Sequence, residues 1–220
     1  MSNNKKFNIA IIGSGVSGLV SSLILSRKHN VTIFEKNSYL GGHVHTHKLN
    51  DANGTFNVDS GFIVYNENTY PNFIKLMKIL DVDTQNTSMG FSYTDDNDFE
   101  YSGNSFSSLF AKKSNLLNFS FYLFIYNILK FNKIALRDID NLDVEIKLID
   151  YLKNNKISNS LIEKYIIPMG SAIWSTDPNT MKDMPANFFI RFFKNHGLLD
   201  VRNRPQWKVI KNGSFQYVKK

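Results

Sequence analysis

An α/β fold with a mostly helical second region is predicted from three observations. Two short apolar runs, Phe7–Ile12 and Val31–Phe34, flank a segment of helical character, Val16–Lys28. Glycines 13, 15 and 18 punctuate the passage from the first run into that helix. From about residue 106 to 166, Leu, Ile, Phe and Tyr recur at helical spacing.

The opening stretch, "FNIAIIGSGVSGLVSSLILSRKHNVTIFEK", reads as strand, turn, helix, strand. Its continuous first run suits a strand buried on both faces. Leu19, Leu23 and Ile24 are placed to face a sheet. The glycine spacing is G-x-G-x-x-G, and Glu35 follows Gly13 at the distance a dinucleotide site requires. Gly13 permits a tight turn. Gly15 admits a pyrophosphate to the backbone N–H groups at the helix start, and Gly18 lets the helix pack near the strand. The intervening Ser14, Val16 and Ser17 belong to the same loop, and Lys36 follows the acidic residue. Glu35 can accept from ribose hydroxyls and would repel a 2′-phosphate, which disfavours NADP. The alternative is a glycine-rich turn in an unrelated α/β protein.

Composition narrows the classes. The chain has 220 residues, 42% hydrophobic and 20% charged, which suits a packed globular protein. Without cysteine there is no disulfide, thiolate metal site or cysteine nucleophile. The apolar run after Lys6 is too short for a secretory signal and breaks at glycine. The longest near-apolar stretch, Leu116–Leu129, is interrupted by Asn118, Ser120 and Asn127 and falls short of a membrane span. A cytoplasmic protein is expected. The charge is uneven: residues 1–110 hold 8 Lys+Arg against 10 Asp+Glu, residues 111–220 hold 18 against 9. A basic second half can meet an anionic membrane peripherally, or it is an ordinary solvated surface. Diffuse charge and no nucleic-acid motif argue against nucleic acid. Oligomeric state is left open.

After Glu35 the stretch "KNSYLGGHVHT" places Gly41-Gly42, then His43, then Thr46. Here the sequence resembles the FAD-dependent oxidoreductases that include amine oxidases, phytoene desaturases and protoporphyrinogen oxidases. Their second signature is Gly-Gly, usually Arg, then two residues and Ser or Thr. The resemblance implies FAD as cofactor, with Gly41, Gly42, His43 and Thr46 closing over its pyrophosphate. His43 stands where Arg is usual, so a phosphate contact there carries a titratable charge. In "GTFNVDSGFIVYNENTYPN" a strand ends in an Asp59-Ser60-Gly61 turn, and the resemblance brings Gly61 and Phe62 against the flavin ring. Tyr70-Pro71-Asn72 opens a helix to Leu80, with Pro71 suited to its first turn. The alternating His43, His45 and His47 lack a fourth ligand at a supporting spacing, so no metal site is predicted and His45 and His47 are read as strand-edge residues.

Three later stretches, "EYSG" (Glu100–Gly103), "IPMGSAIWSTDPNTMKDMPANFFIRFFKNHGLL" (Ile167–Leu199) and "RPQWKVIKNGSFQYV" (Arg204–Val218), look like one bacterial branch. It comprises the NAD/FAD-binding amine-oxidase-like proteins found beside cyclopropane-fatty-acid synthase genes. The resemblance implies a Rossmann-like FAD/NAD(P)-binding domain at 1–105, a mostly helical substrate or cap region at 106–203, and a return toward the sheet at 204–220. It also implies that the binding domain is incomplete, since the family runs on to a further Gly-Asp-type FAD contact; a C-terminally truncated product is expected. The expected activity is transfer of a hydride or electrons between flavin and an apolar or lipid-like small molecule. A flavin-dependent isomerase without net redox and a non-catalytic nucleotide-binding module are the alternatives. Tyr65, Trp174 and His196 are substrate-side candidates. Each has a structural alternative: a buried aromatic for Tyr65 and Trp174, a helix C-terminal cation for His196. Phe119, Phe121, Tyr122, Phe124 and Tyr126 are read as helix core, with an apolar cavity or a membrane-facing surface as alternatives.

Overall fold

The computed structural model describes residues 5–200 and 204–220. Residues 1–4, which open the predicted first domain, and 201–203, at the predicted end of the helical region, lie outside the described residues. The chain forms two compact units, Met1–Ser88 with Gln206–Lys220, and Met89–Pro205.

In the first unit β1 (Asn8–Ile12) and β2 (Asn30–Phe34) pair in parallel, from Asn8 opposite Asn30 to Ile12 opposite Phe34. The crossover between them is α1 (Val16–Leu25). It ends short of Lys28 because Ser26–Lys28 turn the chain back, letting the Asn30 N–H donate to the Phe7 carbonyl at 2.9 Å. The apolar character of β1 suits a strand covered on both faces, yet no residue of β1 or β2 is fully buried and Ile12 is 82% exposed. Among the described residues β1 pairs only with β2, so the expectation of burial on both faces is corrected. Ile24, expected on the sheet-facing side of α1, is exposed.

An antiparallel hairpin follows, β3 (Thr46–Asp51) with β4 (Gly54–Asp59), in register from Thr46 opposite Asp59. Then come β5 (Tyr65–Asn66), α2 (Pro71–Ile79) and β6 (Thr84–Thr87). Pro71 opens α2 where its missing N–H costs nothing, as predicted.

The second unit begins with the hairpin β7 (Ser92–Thr94) and β8 (Glu100–Ser102). Its boundary falls at 88, before the predicted 105, because Phe99 and Tyr101 of this hairpin pack on Phe124 of the helical core. Strand alternation alone does not say which core a hairpin joins. Next are α3 (Phe106–Leu109), a 3₁₀ turn at Lys113–Leu117 and the long α4 (Phe119–Asp138). The Asn118 side chain caps α4 by accepting from the Ser120 N–H at 3.0 Å. Helix α4 buries Phe121, Phe124, Phe131 and Ala135, while Phe119, Tyr122 and Tyr126 lie on its exposed side. The aromatic run read as helix core is therefore divided between two faces.

Further on are α5 (Leu148–Asn154) and α6 (Asn159–Leu161). The latter passes through a π-helical turn, Ile162–Ile166, into α7 (Ile167–Trp174). After α8 (Pro178–Asp183), α9 (Ala186–Asn195) buries Phe189, Ile190 and Phe193. The chain then returns to the first unit as β9 (Trp207–Ile210), the central strand between β5 and β6 and antiparallel to both. A small core of Val44, Tyr65, Met77, Ile210 and Tyr217 forms around this return.

Candidate functional site

The two glycine loops read from the sequence lie against each other. The Gly41 N–H donates to the Ser14 carbonyl at 3.1 Å, and Gly15 and Gly41 form a parallel bridge. A Cβ on Gly42 would sit 3.1 Å from Gly15 Cα. Gly18 answers to helix packing, since a Cβ there would lie 2.2 Å from the Gly13 carbonyl oxygen. Gly13, with φ +92°, turns the chain out of β1.

A Cβ on Gly13 or Gly15 would meet no atom within 4 Å, so their bare side faces open space. Gly15 is also the N-cap of α1 and offers no side-chain bond to its first turn. Backbone N–H groups there are positioned to meet an anion, and the helix dipole favours it. The described residues thus fit a dinucleotide pyrophosphate at this turn.

Beside the turn lies Glu35. The N–H and hydroxyl of Ser14 both donate to its Oε2, at 2.8 and 2.5 Å, and the Asn37 N–H donates to Oε1 at 2.8 Å. These bonds, led by those from Asn37 and Ser14, lower the Glu35 pKa to about 2. The carboxylate is a charged acceptor throughout the neutral range. Ser14 itself is buried, so its side chain ties the loop to Glu35 and to Gly41 N, 3.2 Å away. Val16, Ser17, Lys36 and His43 are exposed. Val16 also borders a groove of about 250 Å³ that runs along α1 with Leu19, Leu23, Leu76 and Tyr217.

Three residues predicted to meet cofactor have internal partners. A Cβ on Gly61 would lie 1.9 Å from the His43 carbonyl oxygen, so the close approach at Gly61 is made by the chain's own backbone. The Phe62 N–H donates to that carbonyl at 3.0 Å, and the Phe62 ring packs on Phe73 and Tyr70. The Thr46 hydroxyl donates to Asp59 Oδ1 at 2.5 Å and accepts from the Phe215 N–H at 2.9 Å.

Those last bonds belong to a network that sequence reasoning missed. Asp59 also accepts from the N–H and hydroxyl of buried Ser214, each at 2.9 Å, and that hydroxyl reaches the Phe62 carbonyl at 2.9 Å. It fastens the segment after β9 to the β3–β4 hairpin. The signal was the Asn212-Gly213 pair: both residues have positive φ, the mark of a tight turn aimed at one partner.

Among the substrate-side candidates, Tyr65 is buried and packs edge-on against Phe73 and Tyr70. In the second unit Trp174 and His196 come together through Phe192. The Trp174 and Phe192 rings are 4.6 Å apart, and Phe192 and His196 stack at 3.8 Å. All three are partly exposed. The His45 ring stacks on Tyr39 at 4.7 Å and lies 4.1 Å from the His47 ring, whose Nε2 is 2.8 Å from the Ser60 hydroxyl. Among the described residues no group of three or more His, Asp or Glu side chains is arranged to hold a metal.

The fold around the paired glycine loops is Rossmann-like, and residues 11–80 match the profile of the NAD(P)-binding Rossmann-like domain. Solved structures of similar fold include amine oxidases. Tryptophan 2-monooxygenase of Allorhizobium ampelinum is 51% identical over 45 residues, 20% of this chain and 6% of that protein. Cyclohexylamine oxidase from Brevibacterium oxydans superposes with a TM-score of 0.67 at 16% identity, covering 98% of this chain and 48% of its own. A CLA-producing fatty acid isomerase from P. acnes gives a TM-score of 0.59 at 14% identity, covering 96% and 48%. The chain spans about half the length of the solved structures it matches, and a small part of the curated relative.

Proposed function

We propose that this chain is the FAD-binding part of an amine-oxidase-like flavoprotein oxidoreductase acting on an apolar, lipid-like small molecule. The observation that carries the reading is the pair of apposed glycine loops with the bare side of Gly13 and Gly15 open. The first-turn N–H groups of α1 and the backbone at Gly41-Gly42 would hold the pyrophosphate, with exposed His43 adding a side-chain donor. Glu35 would take the adenosine ribose hydroxyls and disfavour a 2′-phosphate. Bound FAD would supply hydride or electron acceptance, while the protein contributes position and exclusion of competing reactions. The aromatic row Trp174–Phe192–His196 supports an apolar substrate in the helical unit. The shared fold with a fatty acid isomerase keeps isomerisation without net redox as the second reading.

The test is flavin retention. The purified chain, mixed with FAD and passed through gel filtration, is expected to keep flavin absorbance. Gly15→Val, which fills the cradle, is expected to lose it while keeping its far-UV circular dichroism. Binding of NAD⁺ with no measurable binding of FAD would overturn the cofactor assignment. If an active flavoprotein is obtained, anaerobic turnover with reduced flavin and no external acceptor would favour the isomerase.

A further inference from the structure

Helix α4 presents two unlike faces, and its outer one is unusual for a surface helix. Leu117 is 95% exposed, Phe119 81% and Phe106 79%, with Leu123 and Tyr126 exposed one and two turns further along α4. Phe119, Tyr122, Leu123 and Tyr126 share one face of α4 by helical spacing. Phe106 meets Phe110 at 5.1 Å, Phe110 meets Tyr122 at 5.8 Å, and the Tyr122 hydroxyl donates to the Leu116 carbonyl at 3.0 Å. A contiguous exposed apolar patch marks an interaction surface.

The surroundings of the patch select its partner. From Gly103 to Arg137 the sequence holds no Asp or Glu, while Lys112, Lys113, Lys130, Lys133 and Arg137 fall within it. Lys113, Lys130 and Lys133 are exposed and take part in none of the ion pairs among the described residues. A second copy of the chain would set this cationic stretch against itself. Side chains that stand proud suit insertion into a bilayer, where tyrosines settle at the headgroup level. No helix of the described residues is long and apolar enough to cross a membrane, so the contact lies in the interfacial plane.

We infer that the 3₁₀ turn at Lys113–Leu117 and the first turns of α4 form a docking surface for an anionic lipid bilayer. Leu117 and Phe119 enter the acyl boundary, and Lys113, Lys130 and Lys133 meet the headgroups. The inference stands apart from cofactor binding, because it concerns a different unit and needs no flavin.

Vesicle co-flotation of the full chain tests it. Binding is expected to phosphatidylcholine vesicles containing phosphatidylglycerol, with markedly weaker binding to phosphatidylcholine alone. Leu117→Glu with Phe119→Glu should lower partitioning roughly tenfold or more, and Lys130→Glu with Lys133→Glu should remove the preference for phosphatidylglycerol. A Leu117→Trp variant gives a second readout, since its emission should shift to the blue on anionic vesicles. The inference is overturned if the wild-type chain stays with the vesicle-free fraction, or if the double glutamate variant floats like wild type. It is overturned equally by concentration-dependent dimerisation that the double glutamate variant abolishes, without vesicle binding.

Discussion

Glu35 owes its ionisation to a few nearby donors, and the sign of its pH dependence follows from that. Its pKa is lowered from 4.5 to about 2, so its contribution is fully present above about pH 4.5 and is lost as pH falls toward 2. Ser14→Ala removes one of these donors, so the Glu35 carboxyl is expected to titrate at higher pH; its NMR chemical shift checks this. At His43 the question is cofactor affinity. Arginine there keeps its charge and donates in a fixed fork, so His43→Arg is expected to tighten FAD on the order of tenfold, read by calorimetry. Asp59 takes three hydrogen bonds from Ser214 and Thr46 groups. Asp59→Ala would leave buried Ser214 without those partners and cost about 2–3 kcal/mol; Asp59→Asn, which keeps one acceptor oxygen, should cost less.

A π-helical turn, Ile162–Ile166, leads from α6 into α7, where Pro168 is the second residue. Pro168 has no N–H to offer the Lys164 carbonyl one turn back. The Tyr101 hydroxyl, reaching from β8, donates to that carbonyl at 2.9 Å instead. Burial pushes the Tyr101 pKa up, so the donor keeps its proton. Lys164 adds a 2.7 Å ion pair to Asp95 and lies over the Phe99 ring at 4.1 Å, fastening the same turn to the β7–β8 hairpin. Tyr101→Phe is expected to destabilise the second unit by about 1–3 kcal/mol through the orphaned carbonyl. Pro168→Ala restores an N–H to the turn, so the cost of Tyr101→Phe should shrink in that background; equal costs in a double-mutant cycle would refute the account. None of this was legible beforehand. The proline was visible, but its compensating donor is 67 residues away in the sequence.

Across the whole molecule the two units differ in how much they bury. The helical unit holds a core that includes Phe121, Phe131, Tyr151, Phe189 and Phe193, while the first unit's core is the small set around Tyr65 and Ile210. Ile12 and Phe34 of the parallel pair, and Phe7 just before it, stay exposed. Amide hydrogen exchange of the isolated chain should therefore show greater protection in α4 and α9 than in β1 and β2. The chain's two tryptophans fall one in each unit, Trp174 in the helical unit and Trp207 in β9. Single-tryptophan variants are expected to unfold at different denaturant concentrations, with Asp59→Ala moving the Trp207 transition and Tyr101→Phe the Trp174 transition.

The sequence by itself determined the strand–helix–strand start, its glycine fingerprint and the acidic residue after β2. These are local: glycine spacing, apolar run length and periodicity act within about thirty residues. It also determined that α2 begins at Pro71. Only the tertiary structure decided what the second signature and the tail do. Gly61 is a glycine because His43 lies against it, and Thr46 answers to Asp59 and Phe215. It also decided that β9 fills the place between β5 and β6, and that α4 divides one aromatic run between a buried and an exposed face. Each depends on which distant backbone or carboxylate comes within hydrogen-bond reach, and on which core a strand or helix packs. A pattern of residue types does not carry that information.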